Sequence, residues 1–144
     1  MPKPTDAATL AWARLLRAHD AALARVEAAL EAGGHPPLAW YDVLLELERG
    51  GPQRPRDLQA ALLLAQYNLS RLLDRMERRG LIERGDCETD GRGQTIALTE
   101  AGTRARRDAW PTYAAAIQDA VGRHLTEEEA RTLADLLGRI AGRG

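Results

Sequence analysis

The stretch that most constrains this 144-residue chain runs from Ala65 to Gly80, AQYNLSRLLDRMERRG. At about 100° per residue on a helix, it places Leu69, Leu72, Leu73 and Met76 on one face, the i, i+3, i+4, i+7 spacing of a buried stripe. A second stripe of Tyr67, Arg71, Asp74 and Arg78 points away from it, flanked by Asn68 and Arg75 on one side and Ser70 on the other. These are side-chain types that hold phosphates and reach base edges. Gly80 stands where a left-handed residue ends a helix at least cost, and a β-like run, Leu81 to Arg84, starts at once. Helix, glycine, strand is the order of a DNA-reading helix that feeds a wing.

With 44% hydrophobic and 28% charged residues, the chain fits one soluble domain, or a small domain joined to an oligomerisation region. No apolar run approaches the roughly 20 residues that span a bilayer, and the start, MPKPTDAATL, lacks the apolar core of a signal peptide. A cytoplasmic protein without membrane contact is expected. Cys87 is the one cysteine, which excludes an intrachain disulfide, and His19, His35 and His124 are too scattered to complete a zinc site. No metal and no cofactor is expected. Nothing points to catalysis either: the only paired carboxylates, Glu127 to Glu129, open a helix, and no nucleophile triad, P-loop or dinucleotide fingerprint occurs. The net charge of −1 hides an uneven distribution. Between residues 54 and 107 eleven arginines meet eight acids, a net of +3, and the flanks hold the negative remainder. A locally basic middle between acidic helical ends suits a DNA-binding lobe joined to a protein-contact region.

In chain order, Thr5 to Ala32 is rich in alanine and leucine, has no internal proline or glycine, and reads as one long helix. Its stripe of Trp12, Leu15, Leu16, His19, Leu23, Val26 and Leu30 is long enough to pack against more than its own small domain. Gly33 to Pro37 break it. Leu38 to Leu47 forms a second helix with Leu44 and Leu47 inward, closed by the turn Gly50-Gly51-Pro52. Pro55 opens a short third helix, where its missing N–H costs nothing, with Leu58, Ala61 and Leu62 as the buried side. Only Leu62 to Ala65 separate it from the next helix, the spacing of a helix-turn-helix. Leu63, Leu64 and Ala65 offer no Ser, Thr or Asp to cap that fourth helix, and Asn68 lies too far inside it to do so.

Beyond Gly80, the runs Leu81 to Arg84 and Thr95 to Leu98 flank a polar, glycine-rich segment and read as a β-hairpin with an extended tip. Arg92 sits there between two glycines, placed to enter a minor groove, and Asp90 is placed to brace the loop through an ion pair with Arg84. The DNA-contact candidates are therefore Gln66, Tyr67, Asn68, Ser70, Arg71 and Arg75 on the fourth helix, with Asp90 and Arg92 in the wing. Arg75, Arg78 and Arg79 also stand at helical spacing from Asp74 and Glu77, where pairing along the helix competes with phosphate contact. Thr99 to Val121 is helical in composition with Pro111 as a kink or break. Thr126 and Glu129 form a capping box for a last helix with the stripe Leu133, Leu136, Leu137 and Ile140.

Four segments, WYDVLLELERG (Trp40 to Gly50), AQYNLSRLLDRMERRGLIER (Ala65 to Arg84), DGRGQTIALTEAG (Asp90 to Gly102) and LTEEEARTLADLLGRI (Leu125 to Ile140), together resemble the MarR family of winged-helix regulators. The likeness covers residues 38 to 140 by motif and the first helix by pattern. There are two departures: the wing reads Asp90-Gly91-Arg92-Gly93 where many members carry two adjacent arginines, and the fourth helix lacks a cap. The resemblance implies a mainly α fold with a small β-hairpin wing. A winged helix-turn-helix at residues 38–100 would lie between a dimerisation helix at 1–37 and dimerisation helices at 101–144. It implies an obligate homodimer in which the first helix and the last two of each chain interlock. Independently, the apolar faces those helices would expose in one monomer call for association.

The implied function is sequence-specific regulation of transcription, repression before activation, at a pseudo-palindrome in double-stranded DNA with half-sites about 10 bp or a small multiple apart. In the family, small anionic or phenolic molecules bind between the dimer helices and the winged lobe. A small aromatic or anionic effector is thus implied, with Trp12, His19, Trp40, Tyr41, Trp110 and Tyr113 as the residues from which its pocket would be built. Peroxide-sensing members carry a reactive thiol near the N-terminus, whereas Cys87 lies in the wing, so redox sensing is not expected. The alternative is a dimeric winged-helix protein-interaction module without specific DNA binding, against which Arg71, Arg75 and Arg92 argue.

Overall fold

A computed structural model describes residues 1–86 and 94–142, with the backbone alone at Asp86. The described elements run α1 (Asp6–Ala32), α2 (Leu38–Gly50), α3 (Pro55–Ala61), α4 (Leu69–Arg78), β1 (Ile82–Asp86), β2 (Gln94–Leu98), α5 (Glu100–Ala120), a 3₁₀ turn (Gly122–His124) and α6 (Glu127–Ala141). They group into two compact units, one made of residues 1–29 and 112–144, the other of residues 30–111.

In the second unit the stripes read from the sequence become one core. Val43, Leu44 and Leu47 of α2 meet Leu58 of α3, Leu62, then Leu69, Leu73 and Met76 of α4, with Ile82 and Ile96 contributed by the strands. Leu72 is half-buried and packs on the margin of this core with Trp40, Leu81, Leu98 and Ala105. Burial of each such aliphatic side chain is worth about 1.5–3 kcal/mol, and three of them lie on α4, which anchors its inner face. Ala61, expected inside, is exposed: α3 ends there, and Leu62 takes the buried position in an extended conformation.

The strands pair antiparallel with Ile82 opposite Leu98, Arg84 opposite Ile96 and Asp86 opposite Gln94. A third strand contribution escapes sequence reading. Gln53 exchanges both backbone hydrogen bonds with Ile96, N to O at 3.0 and 2.7 Å, so the link between α2 and α3 pairs along β2. One paired residue carries no periodicity that a sequence pattern could reveal.

The glycine at the end of α4 behaves as its position requires. Gly80 has φ +75°, its N–H donates to the Glu77 carbonyl at 2.9 Å, and Leu81 N–H donates to the Met76 carbonyl at 3.0 Å. This is a Schellman closure, and it turns the chain directly into β1. Thr99 then ties the hairpin exit to the same corner. Its hydroxyl donates to the Gly80 carbonyl at 2.6 Å and accepts from Gly102 N–H at 3.0 Å, which caps α5.

The helix α5 runs uninterrupted through Pro111, where a kink or break was expected. The capping box of α6 forms as expected: Thr126 Oγ1 accepts from Glu129 N–H at 3.1 Å, and Glu129 Oε1 accepts from Thr126 N–H at 2.9 Å. Apolar side chains nevertheless lie open. Leu10, Trp12 and Leu16 of α1 and Leu133, Leu136, Leu137 and Ile140 of α6 are all exposed, and no residue of α6 is buried. Among the described residues, no helix is long and apolar enough to cross a membrane.

Candidate nucleic-acid interface

The polar face of α4 is held from three directions. From below, Leu69, Leu73 and Met76 are buried. At its C-terminal end, Arg84 of β1 reaches back with Nη1 to Asp74 Oδ1 and Glu77 Oε1, each at 2.8 Å. Before its N-terminus, the turn is held from α2. Asp42, only 4% exposed, accepts with Oδ2 from the backbone N–H groups of Leu63 (2.8 Å) and Leu64 (3.1 Å). Burial pushes this carboxyl above the ordinary range, and Glu46 adds to the effect, while the two backbone donors pull against it. No sequence signal assigned Asp42 this role. The trace available was an acid inside the otherwise apolar run Trp40-Tyr41-Asp42-Val43-Leu44.

This turn corrects the expected start of the recognition helix. Residues 62–68 are not helical, and α4 begins at Leu69 rather than directly after Ala65. Asn68, read as too far inside to cap, is the N-cap residue; its carbonyl accepts from Leu72 N–H at 3.1 Å, although its side chain makes no capping bond. Gln66 and Tyr67 therefore approach on the turn instead of the helix. Leu63 and Leu64 turn their amides inward to Asp42, and that interrupts the path a continuous helix would take.

Of the residues assigned to DNA, Asn68, Ser70, Arg71 and Arg75 are exposed, Tyr67 is wholly so, and Gln66 is half-buried with its carbonyl accepting from Gln59 Nε2 at 3.4 Å. Asp90 and Arg92, like Cys87, lie outside the described residues. The acids of α4 do not neutralise its arginines as helical spacing allowed, because Asp74 and Glu77 are drawn to Arg84. Among the described residues no ion pair engages Arg71, Arg75, Arg78 or Arg79. An open cleft of about 570 Å³ lies along this face, bounded by Pro55 and Gln59 of α3, the stretch Gln66 to Ser70, and Arg84 and Gln94 at the base of the hairpin. A row of exposed guanidinium groups outside any ion pair, beside a cleft of mixed polar and apolar lining, is suited to a polyanion that is both read and gripped.

The residues assigned to an effector are placed less uniformly. Trp12 and Trp110 are exposed, and His19 is exposed beside Asp20, with Nδ1 to Oδ1 at 3.3 Å. Trp40 and Tyr113 are half-buried. Tyr41 is 2% exposed, and its hydroxyl accepts from Arg106 Nη1 at 3.4 Å; Arg106 in turn is ion-paired with Glu48. Tyr41 thus serves the packing of α2 against α5 within its unit. No group of three or more potential metal ligands occurs among the described residues.

Known proteins resemble the chain across this region and beyond. The MarR family model matches residues 36–93. An uncharacterized HTH-type transcriptional regulator of Bacillus cereus (strain ATCC 10987 / NRS 248) is 32% identical over 102 residues, 71% of this chain and 67% of that protein. The transcriptional repressor MprA of Escherichia coli (strain K12) is 33% identical over 69 residues, 48% of this chain and 39% of its own length. Among solved structures, Sco3205, a MarR family transcriptional regulator from Streptomyces coelicolor in complex with DNA, superposes with a TM-score of 0.89 at 25% identity, over 98% of this chain and 89% of that one.

Proposed function

Because the chain belongs to the MarR family of transcriptional regulators, we propose that it acts as a homodimeric repressor on a pseudo-palindromic operator. The observation that carries this reading is the exposed row of Ser70, Arg71 and Arg75 on a helix whose own acids are engaged elsewhere. In it, Arg71 reads a base edge in the major groove, Arg75 holds a phosphate, Tyr67 and Asn68 approach from the turn, and Arg92 enters the neighbouring minor groove. Likeness to MprA and to the DNA-bound Sco3205 supports repression and DNA as the partner. Such a protein works in the cytoplasm, where its operator is.

Release by a small aromatic or anionic effector belongs to the same reading. The effector acts only through unequal affinity for the DNA-competent and incompetent arrangements. Exposed Trp12 and Trp110 would report its binding through their fluorescence.

The test is binding of the purified protein to fragments of DNA flanking its own gene, against random duplex competitor at two salt concentrations. Competitor-resistant binding that weakens steeply as salt rises is the expected result, since each phosphate contact releases counterions. A stable dimer with no preference for any fragment, with or without small aromatic acids, would overturn the reading in favour of a protein-interaction module.

A further inference from the structure

We propose that Asp42, a residue of α2 outside the helix-turn-helix, is a positioning residue for operator recognition, through its hold on the turn that launches α4. The inference rests on the DNA-binding reading above. Two consecutive backbone amides, those of Leu63 and Leu64, converge on the same carboxylate oxygen at 2.8 and 3.1 Å, across 21 and 22 residues of chain. Asp42 is 4% exposed, and its second oxygen, Oδ1, is buried with no partner among the described residues. A buried charge with one unpaired oxygen is expensive to keep, so the site spends folding stability on holding this turn.

The turn needs such a hold. Asn68 gives α4 no side-chain cap, and among the described residues the other side-chain tie across residues 62–68 is the 3.4 Å contact from Gln59 to the Gln66 carbonyl, at the outer limit of a hydrogen bond. Asp42 therefore sets where the chain leaves α3 and in what direction it enters α4. Tyr67, Asn68 and Ser70, which follow within a few residues, inherit that direction. A free turn would still permit Leu69, Leu73 and Met76 to bury, but it would leave the first turn of α4 and its polar side chains without a defined approach to a base edge.

The test compares wild type with Asp42→Leu, which fills the space but accepts nothing, and Asp42→Asn, which keeps an acceptor oxygen. Amide hydrogen exchange at Leu63 and Leu64 is read beside affinity for a duplex that wild type selects from a random pool. In Asp42→Leu the two amides should exchange about tenfold faster or more while the amides of Leu44 and Met76 keep their protection. Affinity for the selected duplex should fall about tenfold, and affinity for random duplex by less. Asp42→Asn should restore both readouts to within about threefold of wild type. Unprotected Leu63 and Leu64 amides in wild type would overturn the proposal, as would unchanged affinity in Asp42→Leu. If Asp42→Leu does not fold, wild type and Asp42→Asn decide: protected amides with retained affinity in both uphold the acceptor role, and loss of either in Asp42→Asn refutes it. Should wild type select no duplex at all, the DNA-binding reading fails, while unprotected amides would still refute the contact on their own.

Discussion

Arg71 and Asp42 show what single residues contribute here, one by being solvated and the other by being buried. Arg71 is exposed on α4, and among the described residues no acid pairs with it, so it carries its full charge and all its donors to a partner. Replacing it by alanine should cost about 1–3 kcal/mol at the operator and relax sequence preference at one base pair. Competition binding with single-base operator variants measures this; equal losses on operator and random duplex would make Arg71 a phosphate contact instead. Asp42 makes a prediction about pH. Its folded carboxyl binds a proton more tightly than the unfolded chain's, because burial raises it above the ordinary value of 3.8. The group therefore favours the fold fully below the unfolded value, and that contribution is lost as pH rises through the folded one. Urea unfolding of wild type and Asp42→Asn across the acid range should show wild type losing ground to the variant as pH rises through that window; parallel curves would refute the shift.

Gly102 shows how a motif becomes intelligible only in three dimensions. In the run Leu98-Thr99-Glu100-Ala101-Gly102 the threonine is of the type that caps a helix, and Thr99 does cap α5. The glycine, a poor helix former, is there for a packing reason. A Cβ at 102 would run into the Leu81 carbonyl oxygen and come within 2.8 Å of Leu98 Cδ1, so only glycine lets α5 start against the corner between α4 and β1. Gly102→Ala should destabilise the fold by about 1–3 kcal/mol, measurable by thermal unfolding, and a variant as stable as wild type would show that the corner has slack.

At the scale of elements, the sequence was most legible where structure depends on neighbours three or four residues away. The buried stripe of α4, the inward Leu44 and Leu47, the left-handed Gly80 and the capping box at Thr126 all rest on such local relations. It was least legible where distant residues decide. The turn at 62–68 depends on Asp42, the hairpin gains Gln53, and the acids of α4 answer to Arg84 rather than to their own arginines. The Arg84 clamp yields an element-level prediction. Its partners are nearly half exposed, so solvent screening leaves the pairs little net stability, about 0–1 kcal/mol. Removing the guanidinium, however, leaves two carboxylates beside the DNA-facing arginines. Arg84→Met should thus keep its unfolding temperature within a few degrees by about that margin, yet bind operator more weakly, most visibly at low salt where the freed charges are least screened. A loss of stability large enough to account for the loss of binding would make the clamp a folding contact only.

For the whole molecule, the question is what the terminal helices are for. A chain that carries its DNA-reading residues in 30–111 has no need, for that purpose, of a capped fifteen-residue helix without one buried side chain. On α6, Leu136 is 41% exposed and Ile140 67%, an apolar face that water disfavours and a second copy would cover. The proposed homodimer gives that face its use and gives the basic helix its reach, since two linked reading helices engage two half-sites at high effective concentration. Linkage of this kind is worth about 10²–10⁴ in affinity without any new DNA contact. Leu136→Glu together with Ile140→Glu should therefore yield a monomer by sedimentation. Because both residues are exposed within one chain, circular dichroism should show the helices retained. Operator affinity should drop by about two orders of magnitude or more, with the half-site affinity of a single lobe preserved. A double variant that stays dimeric would move the interface off α6, and a monomer that binds the full operator as tightly as wild type would mean that one lobe suffices and the palindrome is not read by symmetry.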